Sequence, residues 1–300
     1  MNPDSTDGIG PMMKNKALLI YAHEDMEKNK WFTGRLTELA GKQGTELKLV
    51  TPEDIAEGMS VTGNADPESL WEGVSYIINR SRNAEISKLS EKHGIPSFNN
   101  SATVLMGNDK LPEYDLFREM GLPVMETVRG DAFEEEIPFD PPFIVKHRRG
   151  HGGSRVFKAS SHKDALDKMQ GTEPSEWIIQ RMCDEPGCDM RLYMLGGKVL
   201  AGVLRRSSYD FRSNFSLGGR AELVMPDGEI CEKACRISER LGADYIGIDL
   251  IRHGGGFVFN EIEDAVGARM LYEVSDLDAA ALLMDHIYEK TFQIKENGIK

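Results

Sequence analysis

The stretch Tyr245-Ile-Gly-Ile-Asp249-Leu-Ile-Arg-His-Gly-Gly-Gly-Phe-Val-Phe-Asn-Glu261-Ile-Glu263 decides how this chain is read. Two runs rich in β-branched and aromatic residues flank Gly254, Gly255 and Gly256, the sign of two antiparallel strands joined by a tight turn. Acids stand where such a hairpin usually presents apolar side chains. Side chains alternate along a strand, so Glu261 and Glu263 share a face. With His253 to Gly255 as the loop, Asp249 lies opposite Phe259 on that face, diagonal to Glu261 and within its reach. Three converging carboxylates repel one another and lose hydration. The simplest remedy is a hard divalent ion with oxygen ligands, Mg²⁺ held together with nucleotide phosphates. A solvated, acid-rich sheet edge is the competing reading, and the hairpin alone does not decide between them.

Composition narrows the field. Three hundred residues, 40% of them hydrophobic, suffice for one large domain or two to three small ones, each with its own core. The 36 basic against 49 acidic side chains give a formal charge of −13, which argues against non-specific binding to nucleic acid or an anionic membrane. A bound anion must therefore meet a local basic patch, and two segments offer one: Lys146, Arg148 and Arg149, then Arg205, Arg206, Arg212 and Arg220. No apolar stretch approaches the roughly 20 residues that span a bilayer, and the N-terminus has no charged start followed by a long apolar run. A cytoplasmic protein is expected. Cys183, Cys188, Cys231 and Cys235 fit neither a disulfide framework nor paired zinc spacings, so reduced thiols are expected, with Cys231 and Cys235 buried on a helix.

Residues 1 to 13 are polar, contain Pro and Gly and lack periodicity, which predicts a flexible tail ahead of an ordered chain from Lys14. Ala17 to Tyr21 is a continuous apolar run suited to a buried parallel strand. Trp31 to Lys42 has helical spacing in Trp31, Leu36, Leu39 and Ala40. Strand signals recur at Glu46 to Val50 and Val74 to Asn79, with a helix through Ile86, Leu89 and Ser90 before Ile95-Pro96, an α/β layer ending near Asn100. One helix is predicted from Thr103 to Met120, stopped by Gly121 and Pro123. Strands follow at Phe143 to Lys146, Arg155 to Lys158, Trp177 to Met182, Met190 to Leu195 and Lys198 to Leu204, with a Gly196-Gly197 hairpin turn. A helix over Glu229 to Leu241, the acidic hairpin and an amphipathic helix over Asp276 to Tyr288 complete the chain.

No Gly-x-x-x-x-Gly-Lys-Ser/Thr segment exists, which excludes a P-loop. The one dense glycine loop outside the hairpins is Arg149-Gly150-His151-Gly152-Gly153-Ser154. Glycines let backbone N–H groups approach a phosphate and Lys146 supplies a point charge, although a flexible hairpin turn would look the same. A longer basic segment follows: Gly187-Cys-Asp189-Met-Arg191, Arg205-Arg206, and Asp210-Phe-Arg212-Ser213-Asn214-Phe-Ser-Leu-Gly218-Gly219. Taken in order with Asn108-Asp-Lys110, the Lys146 strand, the glycine loop, Gln180, Gly-Ile-Asp249 and Asn260-Glu261-Ile-Glu263, this pattern resembles the ATP-grasp superfamily. Within it the chain is most similar to the RimK group, which adds glutamate to a ribosomal protein, and to relatives in lysine and cofactor biosynthesis. The Asp-Phe-Arg-Ser-Asn-x-x-x-Gly-Gly run is the most specific element, and the match covers roughly residues 100 to 290.

The resemblance implies an α/β protein with α+β subdomains. An N-terminal α/β (pre-ATP-grasp) domain would span 14–100, a central ATP-grasp subdomain 101–182 and a C-terminal one with the metal site 183–295. It implies an ATP-dependent carboxylate–amine ligase that makes an acyl phosphate and releases ADP and phosphate. By matching position, Lys110, Lys146, Gly152 and Gly153 would hold the phosphates. Gln180, Arg181, Met182 and Cys183 would present backbone to adenine, and Asp189 would contact the ribose region. Arg212, Ser213 and Asn214 would lie at the phosphates, with Arg205, Arg212 and Asn214 at the reacting centre. Asp249, Glu261 and Glu263 would bind two Mg²⁺, for which Mn²⁺ can substitute. The substrate would be an amino acid or peptide beside Arg269 and Tyr272, and relatives are often dimers or tetramers. The chain departs from the pattern where the family commonly has Asn in Glu-x-Asn and this sequence has Glu263, and where Arg181 replaces a frequent Glu. Two further readings remain open on the same scaffold: an ATP-dependent phosphotransferase, or a nucleotide-binding regulator without turnover.

Overall fold

The apolar run Ala17 to Ile20 is fully buried, as a strand covered on both faces must be. It belongs to β1 (Asn15–Ile20), which pairs in parallel with β2 (Thr45–Val50) on one side and β3 (Val74–Asn79) on the other. With β4 (Ser97–Phe98) the sheet runs β2-β1-β3-β4. The computed structural model describes residues 15–58, 69–133, 138–153, 155–207 and 220–297, so the tail expected over 1 to 13 lies outside the described residues. The short α1 (His23–Met26) leads to α2 (Lys30–Lys42), which buries Phe32, Leu36 and Ala40. The expected stripe began at Trp31, yet Trp31 is 61% exposed. A strict i, i+4, i+8 row selects Phe32 in its place. A reciprocal capping box between Thr51 and Asp54 starts α3 (Pro52–Ala56), and Asn83 caps α4 (Ala84–Lys92).

The chain divides into two units, Met1–Phe98 together with Ala280–Lys300, and Asn99–Ala279. The second unit opens with two helices where one was predicted over Thr103 to Met120: α5 (Ser101–Met106) and α6 (Lys110–Glu119). Pro112 explains the correction. Inside a continuous helix its ring would clash with the carbonyl of Asn108, whereas in the first turn of a new helix it is tolerated. Asp109 leaves the helical path and caps α6 by accepting from the Leu111 amide at 3.2 Å.

Two antiparallel sheets follow in this unit. The smaller contains β5 (Thr127–Arg129), β6 (Phe143–His147), β7 (Val156–Ala159) and, after α7 (His162–Met169), β8 (Trp177–Arg181), in the order β5-β8-β6-β7. Its core gathers Phe133, Phe143, Val145, Trp177 and Ile179. The larger contains β9 (Cys188–Leu195), β10 (Lys198–Arg206), β11 (Arg220–Val224) and, after α8 (Gly228–Leu241), β12 (Tyr245–His253) and β13 (Gly256–Glu263). Its order is β11-β10-β9-β12-β13, with α9 (Arg269–Val274) after it. The closing α10 (Ala279–Asn297) is longer than the predicted helix over Asp276 to Tyr288 and lies almost wholly in the first unit, where Lys290 and His286 meet Phe98. Among the described residues no helix is long and apolar enough to cross a membrane.

The acidic hairpin has a different register from the one expected. Its turn is the two residues Gly254-Gly255, both at positive φ (62° and 74°), which puts His253 opposite Gly256. Continued without interruption, that register would set Asp249 against Asn260 and turn Glu261 to the other face. A bulge at Asn260 adds one residue to β13, so Asp249 pairs with Glu261 while Leu250, not Asp249, is opposite Phe259. The expectation of a shared acidic face holds, and the bulge produces it. Asn99 fixes the hairpin's base, donating to the carbonyls of Tyr245 and Asp264 at 2.8 Å each and accepting from the amides of Asp244 and Tyr245 at 2.9 Å each.

Candidate nucleotide and metal site

Strand register alone places Asp189 opposite Arg205, Arg191 opposite Asp249, and Asp249 opposite Glu261, so one face of the five-stranded sheet sets two arginines among three acids. Arg191 donates through Nε and Nη2 to the two Asp249 oxygens at 2.7 and 2.6 Å, and its Nη2 also reaches Glu263 Oε1 at 2.6 Å. Arg205 donates to Asp249 Oδ2 at 2.8 Å and to Asp189 Oδ1. Gly247 leaves room for this arrangement: a Cβ there would meet Val266 Cγ2 at 2.7 Å and Arg191 Cδ at 3.6 Å. Burial alone would raise the Asp249 carboxyl, but Arg191 and Arg205 outweigh it and hold the group well below the usual carboxylate range. The cations that acids in a sheet require are thus, in the first instance, arginines of the chain itself.

A second cluster faces β13 from α6 and β6. Lys110, buried on the first turn of α6, lies 3.0 Å from Glu261 Oε1 and donates to the Gly150 carbonyl at 2.6 Å. Burial opposes its charge, and Glu261 with Glu113 overcomes the opposition and raises its pKa. Lys146 on β6 donates to Asn260 Oδ1 at 2.9 Å and approaches the Tyr114 hydroxyl at 3.4 Å. Desolvation, only partly offset by Glu261, brings its pKa down to about 8. Glu113 accepts from the Ile262 amide, and burial together with Glu261 pushes its carboxyl well above the ordinary value.

The glycine loop is tied down at its base. Arg148 forks onto both Asp109 oxygens at 2.8 and 2.7 Å while its carbonyl accepts from the Lys110 amide at 3.0 Å. Arg149 pairs with Glu176 at 3.2 Å and with Asp109 at 3.5 Å. Two arginines that the sequence offered as phosphate cations are therefore engaged locally, whereas Lys110 reaches the loop and Glu261 and Lys146 reaches Asn260. Gly152 and Gly153 adopt positive φ (62° and 74°), and a Cβ at Gly152 would meet nothing within 4 Å. The face of β8 adds Gln180, whose amide donates to the Tyr114 hydroxyl and to Thr127 Oγ1 at 3.2 Å. Arg181 pairs with Glu126 and lies 5.4 Å over the Phe139 ring, Met182 is half-buried, and burial pushes the Cys183 thiol up.

The RimK-like ATP-grasp domain model matches residues 120–287. This chain belongs to the RimK-like ATP-grasp family. Two curated relatives span most of it: the uncharacterized MG011 homolog of Mycoplasma pneumoniae, 32% identical over 86% of this chain and 87% of the relative, and a probable alpha-L-glutamate ligase of Xanthomonas euvesicatoria, 28% identical over 85% and 92%. The fold is shared with the ATP-complexed D-alanine–D-alanine ligase of Bacillus anthracis, at 13% identity and a TM-score of 0.71 over 95% of this chain and 99% of that one. As an ATP-grasp ligase, this RimK-like protein has the mixed helix-and-sheet architecture expected from its sequence.

Apart from Gly152, Gly153, Arg181, Met182 and Cys183, placed above, the residues forecast for the site fall into three groups. Lys110, Lys146, Gln180, Asp189, Arg205, Asp249, Glu261 and Glu263 are joined by the contacts described above. Arg269 is exposed on α9, and the Tyr272 hydroxyl donates to Asp278 at 3.0 Å. Arg212, Ser213 and Asn214 lie outside the described residues, as does Ser154. Sequence reasoning assigned no role to Arg191, Glu113, Tyr114 or Asn260. Arg191 was visible two residues after Asp189 on the same strand face, whereas Asn260 acquires its position only through the bulge.

The donor set suits a hard cation, since Asp249, Glu261 and Glu263 offer carboxylate oxygens on one face. Among the described residues no three acidic, His or Cys side chains form a ready cage, because Arg191 and Lys110 stand between the carboxylates. Two N–H groups already occupy Asp249 Oδ2, so its Oδ1 is the better placed donor.

Proposed function

We propose that this ligase joins a carboxylate to an amine, using ATP to convert the acid into an acyl phosphate. The observation that carries the proposal is the convergence of Lys110 and Lys146, from two different elements, on the bulged strand that bears Glu261. A carboxylate resists attack because its oxygen is a poor leaving group. In the proposed reaction one carboxylate oxygen attacks the γ-phosphorus, the bond to ADP breaks, and the amine then adds to the carbonyl and expels phosphate. Lys110 and Lys146 hold the phosphates against the glycine loop, the Gln180 to Cys183 backbone meets adenine, and Asp189 lies toward the ribose. Arg205, with Arg212, Ser213 and Asn214 from the segment outside the described residues, neutralises charge on the transferred phosphoryl. Asp249, Glu261 and Glu263 would hold Mg²⁺, two ions or Mn²⁺ in their place, which when bound lowers the charge of the phosphates. Arg269 and Tyr272 line the substrate end. The relative named as a probable alpha-L-glutamate ligase makes glutamate the first acid or amine to try, free or at the end of a peptide.

Incubation with Mg-ATP and pools of amino acids and peptides tests this reading, with phosphate release and product mass as readouts. A product lighter by one water than its two parents, and phosphate release that requires both of them, is the expected result. Release indifferent to any amine would instead indicate a phosphotransferase.

The lowered pKa of Lys146 predicts a pH dependence of nucleotide binding. The ligand-free protein holds this amine near pKa 8, and a bound phosphate favours its ammonium form. Binding is therefore strongest below about pH 8, and the Kd for ADP rises above it, toward about tenfold per pH unit. Calorimetric titrations from pH 6.5 to 9.5 measure this, and Lys146→Met flattens the rise.

A further inference from the structure

Helix α6 buries a lysine, a glutamate and a tyrosine on one face. Lys110, Glu113 and Tyr114 stand at i, i+3 and i+4, and all three are at most 5% exposed. Lys110 meets Glu261 and Glu113 holds the Ile262 amide, but Tyr114 serves neither acid. Its ring packs edge-on to Phe117 with centroids 6.3 Å apart, and its hydroxyl lies where three other elements meet. Asn260 Oδ1 of the β13 bulge is 3.2 Å away, Lys146 Nζ of β6 is 3.4 Å away, and the Gln180 amide of β8 donates to it.

A phenol has one proton to give and lone pairs to receive. Gln180 Nε2 can only donate, so the hydroxyl accepts from it and donates its own proton to Asn260 Oδ1. That oxygen also accepts from Lys146 at 2.9 Å. One hydroxyl thus fixes the amide of a β8 residue, the carbonyl oxygen that orients the Lys146 ammonium, and the bulge immediately before Glu261. Resting on the nucleotide-site reading above, we propose that Tyr114 is a positioning residue for nucleotide binding, its hydroxyl setting Lys146 and the Asn260 bulge in register with each other. It touches no reacting atom and acts through Lys146 and Asn260.

Tyr114→Phe removes one oxygen and keeps the ring in the core. The expected result is an ADP or AMPPNP Kd weakened about tenfold by calorimetry in the presence of Mg²⁺, since a hydrogen bond to a charged group is lost from the set. Asn260→Ala removes the acceptor shared by Tyr114 and Lys146 and weakens binding to a similar degree. The double variant binds no more than about twofold worse than the weaker single one, because both changes break the same linkage. Thr127→Val deprives Gln180 of its other partner without touching Lys146 or Asn260, and leaves the Kd within about twofold of wild type. An unchanged Kd in Tyr114→Phe, fully multiplicative losses in the double variant, or an equal loss in Thr127→Val overturns the proposal. Wild-type protein that binds neither nucleotide overturns the nucleotide-site reading itself, and this inference with it.

Discussion

Asp249→Ala lowers the stability of the folded protein by about 3–5 kcal/mol, the cost of removing one partner from a buried ionic cluster. Arg191 and Arg205 both donate to this carboxylate, and their side chains are only 10% and 5% exposed. After the substitution Arg191 keeps Glu263 and Arg205 keeps Asp189, yet two guanidinium groups remain side by side with the charge between them gone. Urea unfolding with an unchanged m-value measures the loss. Asp249→Asn keeps the shape and one acceptor oxygen and falls between the two. The same cluster gives the wild type an acid limb. The folded-state pKa of Asp249 is depressed, so its contribution is complete above the unfolded-state pKa of about 3.9 and is lost as pH falls below that toward the folded value. The acid limb is shallower in Asp249→Ala.

Glu261→Ala has its largest effect on turnover, a loss of about 10³-fold in kcat under the proposed mechanism, comparable with removing a group that stabilises transition-state charge. Its side chain is 26% exposed and its ion-pair partner among the described residues is Lys110, so the fold loses less than it does with Asp249→Ala. The two variants therefore separate two jobs that the sequence alone combines into one acidic cluster: Asp249 balances buried arginines, and Glu261, under the proposed mechanism, serves the nucleotide. A Glu261→Ala protein with wild-type kcat removes Glu261 from the metal assignment. Steady-state phosphate release at saturating ATP and Mg²⁺ gives the number.

Much of this was legible from residue types in order. The apolar run at Ala17, the Gly196-Gly197 turn, a glycine turn within Gly254 to Gly256 and the β-rich runs beside them were readable as strands because their signals are local: positive φ for glycine, burial for branched side chains. The acidic face of the hairpin was likewise correct, since alternation survives any even change of register. What escaped was non-local. The Asn260 bulge depends on what α6 and β6 present to β13, and nothing within the hairpin announces it. Arg191 was in plain view, but its partnership with Asp249 follows from β9 lying beside β12, a pairing between strands some sixty positions apart. The expectation that buried acids need cations was sound. It named Mg²⁺ first, although arginine can meet part of the same demand. The single helix predicted over Thr103 to Met120 failed for a reason visible in the sequence, since Pro112 requires a new first turn.

Oxygen transfer reports whether the acid is phosphorylated before the amine attacks. The substrate that supplies the acid, labelled with ¹⁸O in that carboxylate, is incubated with the enzyme, Mg-ATP and the amine, and the released phosphate is analysed by mass spectrometry. The account predicts one ¹⁸O in each phosphate released, because the oxygen that attacks phosphorus leaves with it. Unlabelled phosphate formed alongside the amide product would contradict it.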